Sequence, residues 1–160
     1  MNTFFLQSAS CNSTLCTNYN HTGFNSSQST TYVPSTDQLL LTYAAANFKG
    51  NISQDILNIA GIEIPSQKFL DAVDIWPAAY WHYYIEYNGV LGLAPAYKNY
   101  RPQVPTVWEN LVNGGSLDRN IFSVSLPTGD LDFDNPRTNG ELIFGGLPPN
   151  LRKENPLVSP

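Results

Sequence analysis

The sequence predicts a mostly β fold with one or two short helices. Tyr, Phe, Thr, Ser, Asn, Gly and Pro are plentiful, while Lys and Arg total only 8 of 160 residues. That balance favours strands and turns over helices. Short apolar or alternating runs bounded by turn residues recur along the chain, as strands require. At this length one domain with a sizeable core is expected.

The strand-like segment Asn88–Ala94 is the central element of this prediction. Its large apolar residues, Val90, Leu91 and Leu93, suit a strand that is buried on both faces. Gly89 and Gly92 lack a Cβ, so another chain segment can pass close to them. An ordinary buried strand is the simplest interpretation of the segment by itself.

Near the amino terminus, Phe4–Leu6 is predicted to end a buried strand. Cys11 and Cys16, the only cysteines, then enclose four residues. The pair is either a small disulfide ring, stabilising by roughly 2 kcal/mol, or half of a metal site. Because no second Cys/His pair completes such a site, a disulfide is favoured in an oxidising compartment. Residues 17–31 are polar and predict a surface loop.

The strand-like runs 38–43 and 52–64 predict a hairpin. The link, 44–51, is made of small and polar residues, and Asn47 and Gly50 are expected at its turn positions. Gly61 is expected to mark a tight bend within the second run.

The aromatic run Trp76–Tyr87 predicts a short helix or an irregular loop. Its rings either cap the core or line a ligand groove.

Residues 105–114 predict a helix with a capping box. Thr106 is the N-cap and Glu109 follows three positions later. Val107 and Leu111 share one face, and Gly114 ends the helix.

The alternating run 121–126 predicts a half-buried strand. Residues 140–146 are its expected partner strand.

Charge and length exclude some functions. The net charge is −5 and no basic cluster occurs, which argues against nucleic acid and anionic membranes as partners. No apolar run has the length of a membrane span.

Targeting signals disagree with one another. The first seven residues lack the features of a signal peptide. The sequons at Asn12, Asn20, Asn25 and Asn51 nevertheless predict a secreted glycoprotein. We therefore expect that the true amino terminus precedes Met1.

Several ordered motifs resemble those of pepsin-like (family A1) aspartic peptidases. The Cys11–Cys16 pair is similar to the disulfide loop that follows the family's first catalytic motif, and Asn88–Ala94 resembles the strand that buttresses the catalytic aspartate. Further resemblances, in chain order, are Phe24-Asn25, Ser29–Tyr32, Leu41–Tyr43, Gly50–Asp55, Gly61-Ile62, the helix, Phe122–Val124 and Leu142–Gly146. The long acidic hairpin and the sequons are most similar to fungal members.

The resemblance implies an incomplete pepsin-like amino-terminal lobe over residues 1–150. Residues 151–160 would begin the segment that leads to a second lobe. In the family each lobe supplies one catalytic Asp, one protonated and the other activating water for attack on a peptide bond. Asp-Thr-Gly and Asp-Ser-Gly do not occur in this sequence. We expect the first aspartate upstream of Met1 and the second in the missing carboxy-terminal lobe, so no catalytic residue is assigned and the chain alone is predicted to be inactive.

The resemblance also implies substrate-binding residues. Tyr43 matches the flap tyrosine, and Ala44 and Ala45 begin the stretch that replaces the family's Gly-Thr/Ser-Gly. Trp81, Tyr87 and Val90 match the pocket for the residue before the scissile bond. Phe5 replaces a tryptophan that supports the flap tyrosine. A peptide or protein substrate and a secreted or vacuolar location are implied.

No cofactor or metal is expected. The acidic stretch 130–141 mimics a calcium loop, but Asn135 replaces the turn glycine and Pro136 occupies a carbonyl-ligand position. A solvated hairpin is the better interpretation.

Alternatives of another class are a non-catalytic peptide-binding or inhibitor-type protein of the same fold, and a non-functional fragment. A stable monomer would favour the binding protein.

Overall fold

A computed structural model describes residues 3–17, 22–42, 46–77, 87–94, 104–126 and 140–148. The chain divides into two compact units, Met1–Gly114 and Gly115–Pro160. Strands dominate the described residues, and the helices are short, as the composition predicts.

The first unit contains a five-stranded sheet with the strand order β2-β3-β4-β1-β5. β1 runs parallel to β4, and the other neighbouring strands are antiparallel. A strand is present at the predicted segment Phe4–Leu6, but β1 begins at Phe5 and ends one residue later, at Gln7. The strands are β1 (Phe5–Gln7), β2 (Gln38–Thr42), β3 (Ala46–Ile59), β4 (Ile62–Pro77) and β5 (Gly89–Val90).

The turn between β3 and β4 is formed by Ala60 and Gly61, with φ values of 50° and 80°. Two consecutive positive φ values are what a two-residue hairpin turn requires. The predicted bend at Gly61 is confirmed. The prediction of a single run over 52–64 is wrong, because this stretch is the end of β3 and the start of β4.

The predicted link 44–51 is also wrong, because β3 already begins at Ala46. Asn47 pairs with Thr42 and Gly50 pairs with Leu39, so neither residue lies in the turn. Both are flanked by β4 on the other side, and pairing on two edges overrides their weak strand preference.

Gly50 instead lies at a bulge between β3 and β4. Lys49 pairs with Asp74 and Gly50 with Ala72, so Val73 is skipped. A Cβ at position 50 would collide with the carbonyl oxygen of Asp71. The glycine is therefore needed for close backbone approach rather than for a turn.

The predicted strand 88–94 is shorter and more exposed than expected. β5 contains only Gly89 and Val90, and both are half-buried rather than covered on two faces. The expected close approach at Gly89 is confirmed, since a Cβ there would lie 2.6 Å from the Phe5 carbonyl oxygen. Pairing with β1 alone leaves one edge of β5 without a described strand.

The core of the first unit lies against β1, β3 and β4. Phe5 and Phe48 are almost fully buried, and their ring centroids are 4.3 Å apart. The Cys11–Cys16 pair belongs to the same cluster. Two short helical turns, α1 (Thr14–Thr17) and a 3₁₀ turn (Ser26–Gln28), lie in the segment between β1 and β2.

The predicted helix is confirmed as α2 (Val107–Asn113). The Thr106 side chain accepts a hydrogen bond from the Glu109 N–H, and Glu109 accepts one from the Thr106 N–H. Val107 and Leu111 are buried, and Gly114 is the C-cap. Both halves of the predicted capping box are present.

The second unit contains the antiparallel pair β6 (Phe122–Ser125) and β7 (Glu141–Phe144), which confirms the predicted partnership. The expected half-burial of the apolar face is wrong. Phe122 and Val124 are the more exposed residues of β6, because no described element of this unit covers their face.

Candidate functional site

The end of the β2–β3 hairpin corresponds to the expected flap. The two strands stay paired up to Thr42 and Asn47, where the Thr42 hydroxyl donates to Asn47 Oδ1 at 2.9 Å. Asn47 Nδ2 in turn donates to the Pro77 carbonyl oxygen at 3.4 Å. Tyr43, Ala44 and Ala45 lie outside the described residues.

Of the three expected pocket residues, only Tyr87 and Val90 belong to the described part of the chain. Trp81 lies outside the described residues, as does most of the run Trp76–Tyr87. The first two residues of that run, Trp76 and Pro77, are the end of strand β4. Tyr87 is 45% exposed and directly precedes β5. Val90 is half-buried and packs against the core. Of these two, Tyr87 therefore offers the more accessible side chain.

The Phe5 ring lies close to this strand. Phe5 pairs with Val90 on one side of β1 and with Leu70 on the other. Its side chain packs on Phe48 rather than reaching solvent. Phe5 thus joins β5 to the β2–β3 hairpin through a packed aromatic pair.

Cys11 and Cys16 form a disulfide, with their Cα atoms 5.9 Å apart. Both half-cystines are buried. Ser13, inside the ring, accepts a hydrogen bond on Oγ from the Ile75 N–H at 3.1 Å. The ring is therefore fixed to β4, and the disulfide interpretation of the pair is confirmed.

Asp55 is a buried carboxylate that sequence analysis did not single out. Its Oδ1 accepts hydrogen bonds from Thr31 Oγ1 at 2.5 Å and from the Ile56 N–H at 2.8 Å. Burial raises the pKa of Asp55, but hydrogen bonds from Thr31, Ser29 and the Ile56 backbone outweigh it and leave the pKa below its ordinary value.

A second buried carboxylate, Asp71, accepts a hydrogen bond from Tyr32 Oη at 3.0 Å. The same hydroxyl lies 2.8 Å from Ser53 Oγ. Burial is the largest cause that raises the pKa of the Tyr32 phenol, and the Asp71 and Asp55 charges act in the same direction. Asp55 and Asp71 thus both hold the segment containing Thr31 and Tyr32 against the sheet.

These two acids are not in the sequence context of a catalytic aspartate. Asp55 precedes Ile56-Leu57 and Asp71 precedes Ala72-Val73, not Thr-Gly or Ser-Gly. Their cross-strand role was missed because both occur in stretches of mixed polarity. The Ser29–Tyr32 motif was the available signal, since its hydroxyl groups are the partners of both acids.

The sequon asparagines differ in accessibility. Asn12 and Asn25 are exposed, whereas Asn51 is half-buried within β3, between β2 and β4. Asn20 lies outside the described residues. Within the described ranges, no cluster of three His, Cys, Asp or Glu side chains could hold a metal ion, and no helix is long and apolar enough to cross a membrane.

A family model for eukaryotic aspartyl proteases matches residues 2–155. The chain therefore belongs to the eukaryotic aspartyl protease family, a class of pepsin-like hydrolases. This finding confirms the resemblance on which the expected fold was based.

Individual relatives are similar over most of this chain. Renin from Echis ocellatus is 32% identical over 130 residues, 81% of this chain and 31% of the renin. Pepsin A from Suncus murinus is 30% identical over 145 residues, 89% of this chain and 34% of the pepsin. Pepsin A from Bos taurus is 29% identical over 137 residues. The chain thus spans about a third of the length of these relatives, and the expected similarity to fungal members stays a prediction.

Proposed function

We propose that these residues form most of the amino-terminal lobe of a secreted aspartic endopeptidase. The observation that carries the proposal is the family match over residues 2–155. The sheet, the disulfide ring and the capped helix follow the order in which the family motifs occur along the chain.

Catalysis in this class needs two carboxyl groups. One stays protonated while the other, ionised, activates a water molecule for attack on the peptide carbonyl. Neither Asp-Thr-Gly nor Asp-Ser-Gly occurs in these 160 residues. We therefore propose that the dyad is supplied by residues outside them, and that a second lobe completes the enzyme.

For substrate binding we propose the flap residues Tyr43, Ala44 and Ala45, together with the pocket residues Trp81, Tyr87 and Val90. Large apolar side chains suit such a pocket. The exposed position of Tyr87 supports its direct contact with a substrate. Val90, packed on the core, would act chiefly by shaping the pocket floor.

We also propose that the protein is glycosylated. The exposed Asn12 and Asn25 are the best acceptors among the described sequons, and the half-buried Asn51 is the poorest. N-linked glycans require passage through the secretory route.

The first test is cleavage of a quenched fluorescent peptide by the pure 160-residue chain between pH 3 and 6, with and without pepstatin. We expect no pepstatin-sensitive cleavage. Such cleavage would refute the placement of the dyad outside these residues.

The matched test is to read the transcript upstream of the Met1 codon and downstream of Pro160. An in-frame Asp-Thr-Gly or Asp-Ser-Gly on each side supports the endopeptidase, and the extended chain should then cleave the peptide. Unrelated sequence on both sides would refute it and favour a peptide-binding protein of the same fold.

A further inference from the structure

A polar cavity of about 540 Å³ lies between the end of β1, the disulfide ring and residues 22–28. None of the ten described residues that line it carries a charged side chain, and they include Gln7, Thr22, Asn25 and Gln28. The volume is in the range of ordinary ligand sites. The lining therefore suits a neutral ligand that forms hydrogen bonds.

Gln7, which lines this cavity, has an amide oxygen that needs a hydrogen-bond donor. Its side chain is only 3% exposed, and Nε2 donates to the Cys16 carbonyl oxygen at 3.3 Å. Within the described part of the chain, Oε1 is buried and accepts no hydrogen bond. A buried amide oxygen in that state favours any ligand that brings an N–H or O–H donor to it.

Asn25 places a covalent attachment point in the lining of the same cavity. It begins the sequon Asn25-Ser26-Ser27 and is exposed. Its Oδ1 accepts hydrogen bonds from the Ser27 N–H at 3.1 Å and the Ser27 hydroxyl at 2.8 Å. These bonds engage Oδ1 and fix the side chain, while N-glycosylation uses the other atom, Nδ2.

We propose that the first N-acetylglucosamine of a glycan on Asn25 folds back into this cavity and donates a hydrogen bond to Gln7 Oε1. The sugar is neutral and rich in O–H and N–H donors, which matches the lining. A short tether raises its effective concentration to the millimolar range, so even a weak site is occupied. This inference rests on the proposal that the protein is a secreted glycoprotein.

The test uses the 160-residue chain secreted from yeast and trimmed by endoglycosidase H to one N-acetylglucosamine per site. Ser26→Pro abolishes the Asn25 sequon but keeps Asn25 and Ser27, and proline is compatible with the first position of the 3₁₀ turn. Gln7→Met removes the acceptor oxygen at similar length. We expect Ser26→Pro to lower Tm by about 2–4 °C with Gln7 present and by less than about 1 °C in the Gln7→Met background.

A second measurement does not require reversible unfolding. Before trimming, peptide N-glycosidase F should release the Asn25 glycan from the native chain several-fold more slowly than the exposed Asn12 glycan. Gln7→Met and denaturation should each remove that difference.

The outcomes are distinguishable by site-resolved mass spectrometry. Equal release rates with no Gln7 dependence would overturn the proposal, as would glycosylation at Asn12 with none at Asn25. Absence of glycans at every sequon would overturn the glycoprotein part of the proposed function as well.

Discussion

Among the described acidic residues, Asp55 is the one whose charge should matter most for stability in acid. Its pKa is below the ordinary value, so its ionised form is bound more tightly in the folded state than in the unfolded chain. That stabilisation is complete above the unfolded pKa and is lost as the pH falls through the lower folded pKa. Asp55→Asn should therefore reduce the free energy of unfolding by about 1–2 kcal/mol at pH 7.

In the same variant, the free energy of unfolding should fall less steeply below about pH 4 than it does in the parent chain. Urea unfolding between pH 2.5 and 7 measures both effects. Asp37→Asn is the matched control, because it makes the same substitution at an exposed aspartate. A pH profile of Asp55→Asn parallel to that of the parent chain would contradict the assignment.

Gly50 is a second residue at which a single substitution should strongly reduce stability. Because a Cβ would collide with the Asp71 carbonyl oxygen, Gly50→Ala must push β3 and β4 apart at the bulge. We expect a loss of at least about 3 kcal/mol in the free energy of unfolding. Lys49→Ala, at the neighbouring exposed position, should cost less than about 0.5 kcal/mol. Equal urea midpoints for the two variants would show that the strands tolerate a side chain there.

At the scale of elements, the capping box of α2 has a measurable contribution. Thr106 is 2% exposed and its hydroxyl oxygen accepts the Glu109 N–H at 3.0 Å. Thr106→Ala should reduce stability by about 1 kcal/mol, while Thr106→Ser keeps the oxygen and should retain most of it. Chemical denaturation distinguishes them, and an equal loss in both variants would mean that the methyl group, not the cap, is responsible.

The helix could be predicted closely because its signals are local. Thr106, Glu109 and Gly114 specify its ends through side-chain and backbone bonds within one or two turns. The hairpin turn at Gly61 was predictable for the same reason, since a positive φ favours glycine.

The sheet interior was harder to predict because its signals are not local. Ala46–Asn51 has the composition of a loop, yet β2 and β4 pair with it on both edges. The strand over 65–77 was not predicted, because Pro65, Lys68 and Asp74 interrupt its apolar pattern. Pro65 is tolerated because it lies at the second register shift between β3 and β4, where the regular ladder is broken.

The candidate site could be predicted only through family motifs. Composition does not bring Tyr32, Ser53 and Asp71 together, because 39 residues separate the first from the last. The unpaired acceptor oxygen of Gln7 is equally invisible in the sequence, since its burial arises only in the folded structure.

At the scale of the whole molecule, the β6–β7 pair exposes an apolar face. Val124 is 56% exposed and Leu126 74%, and Phe122 and Leu142 lie on the same face. Such a surface favours association of copies of the chain. We expect the pure chain to self-associate at micromolar concentrations, and Val124→Lys to weaken that association about tenfold.

Sedimentation velocity across a concentration series measures this effect. Ser125→Lys is the control, since it adds the same charge on the opposite face of β6. The added lysine slightly reduces the net charge of −5, which alone would favour association. Equal weakening by both variants would show that the apolar face is not the surface through which the copies associate.

The position of β1 has a consequence for the way the chain acquires its structure. Phe5 pairs with Leu70 on one side and Val90 on the other, so the two strands that flank β1 lie some 65–85 residues further along the chain. The meander of β2, β3 and β4 needs only neighbouring segments and can form first. Long-range pairing of this kind slows folding. A ribosome-bound chain that ends before β4 therefore lacks the strands that flank β1, and its Phe5 strand stays accessible to chaperones.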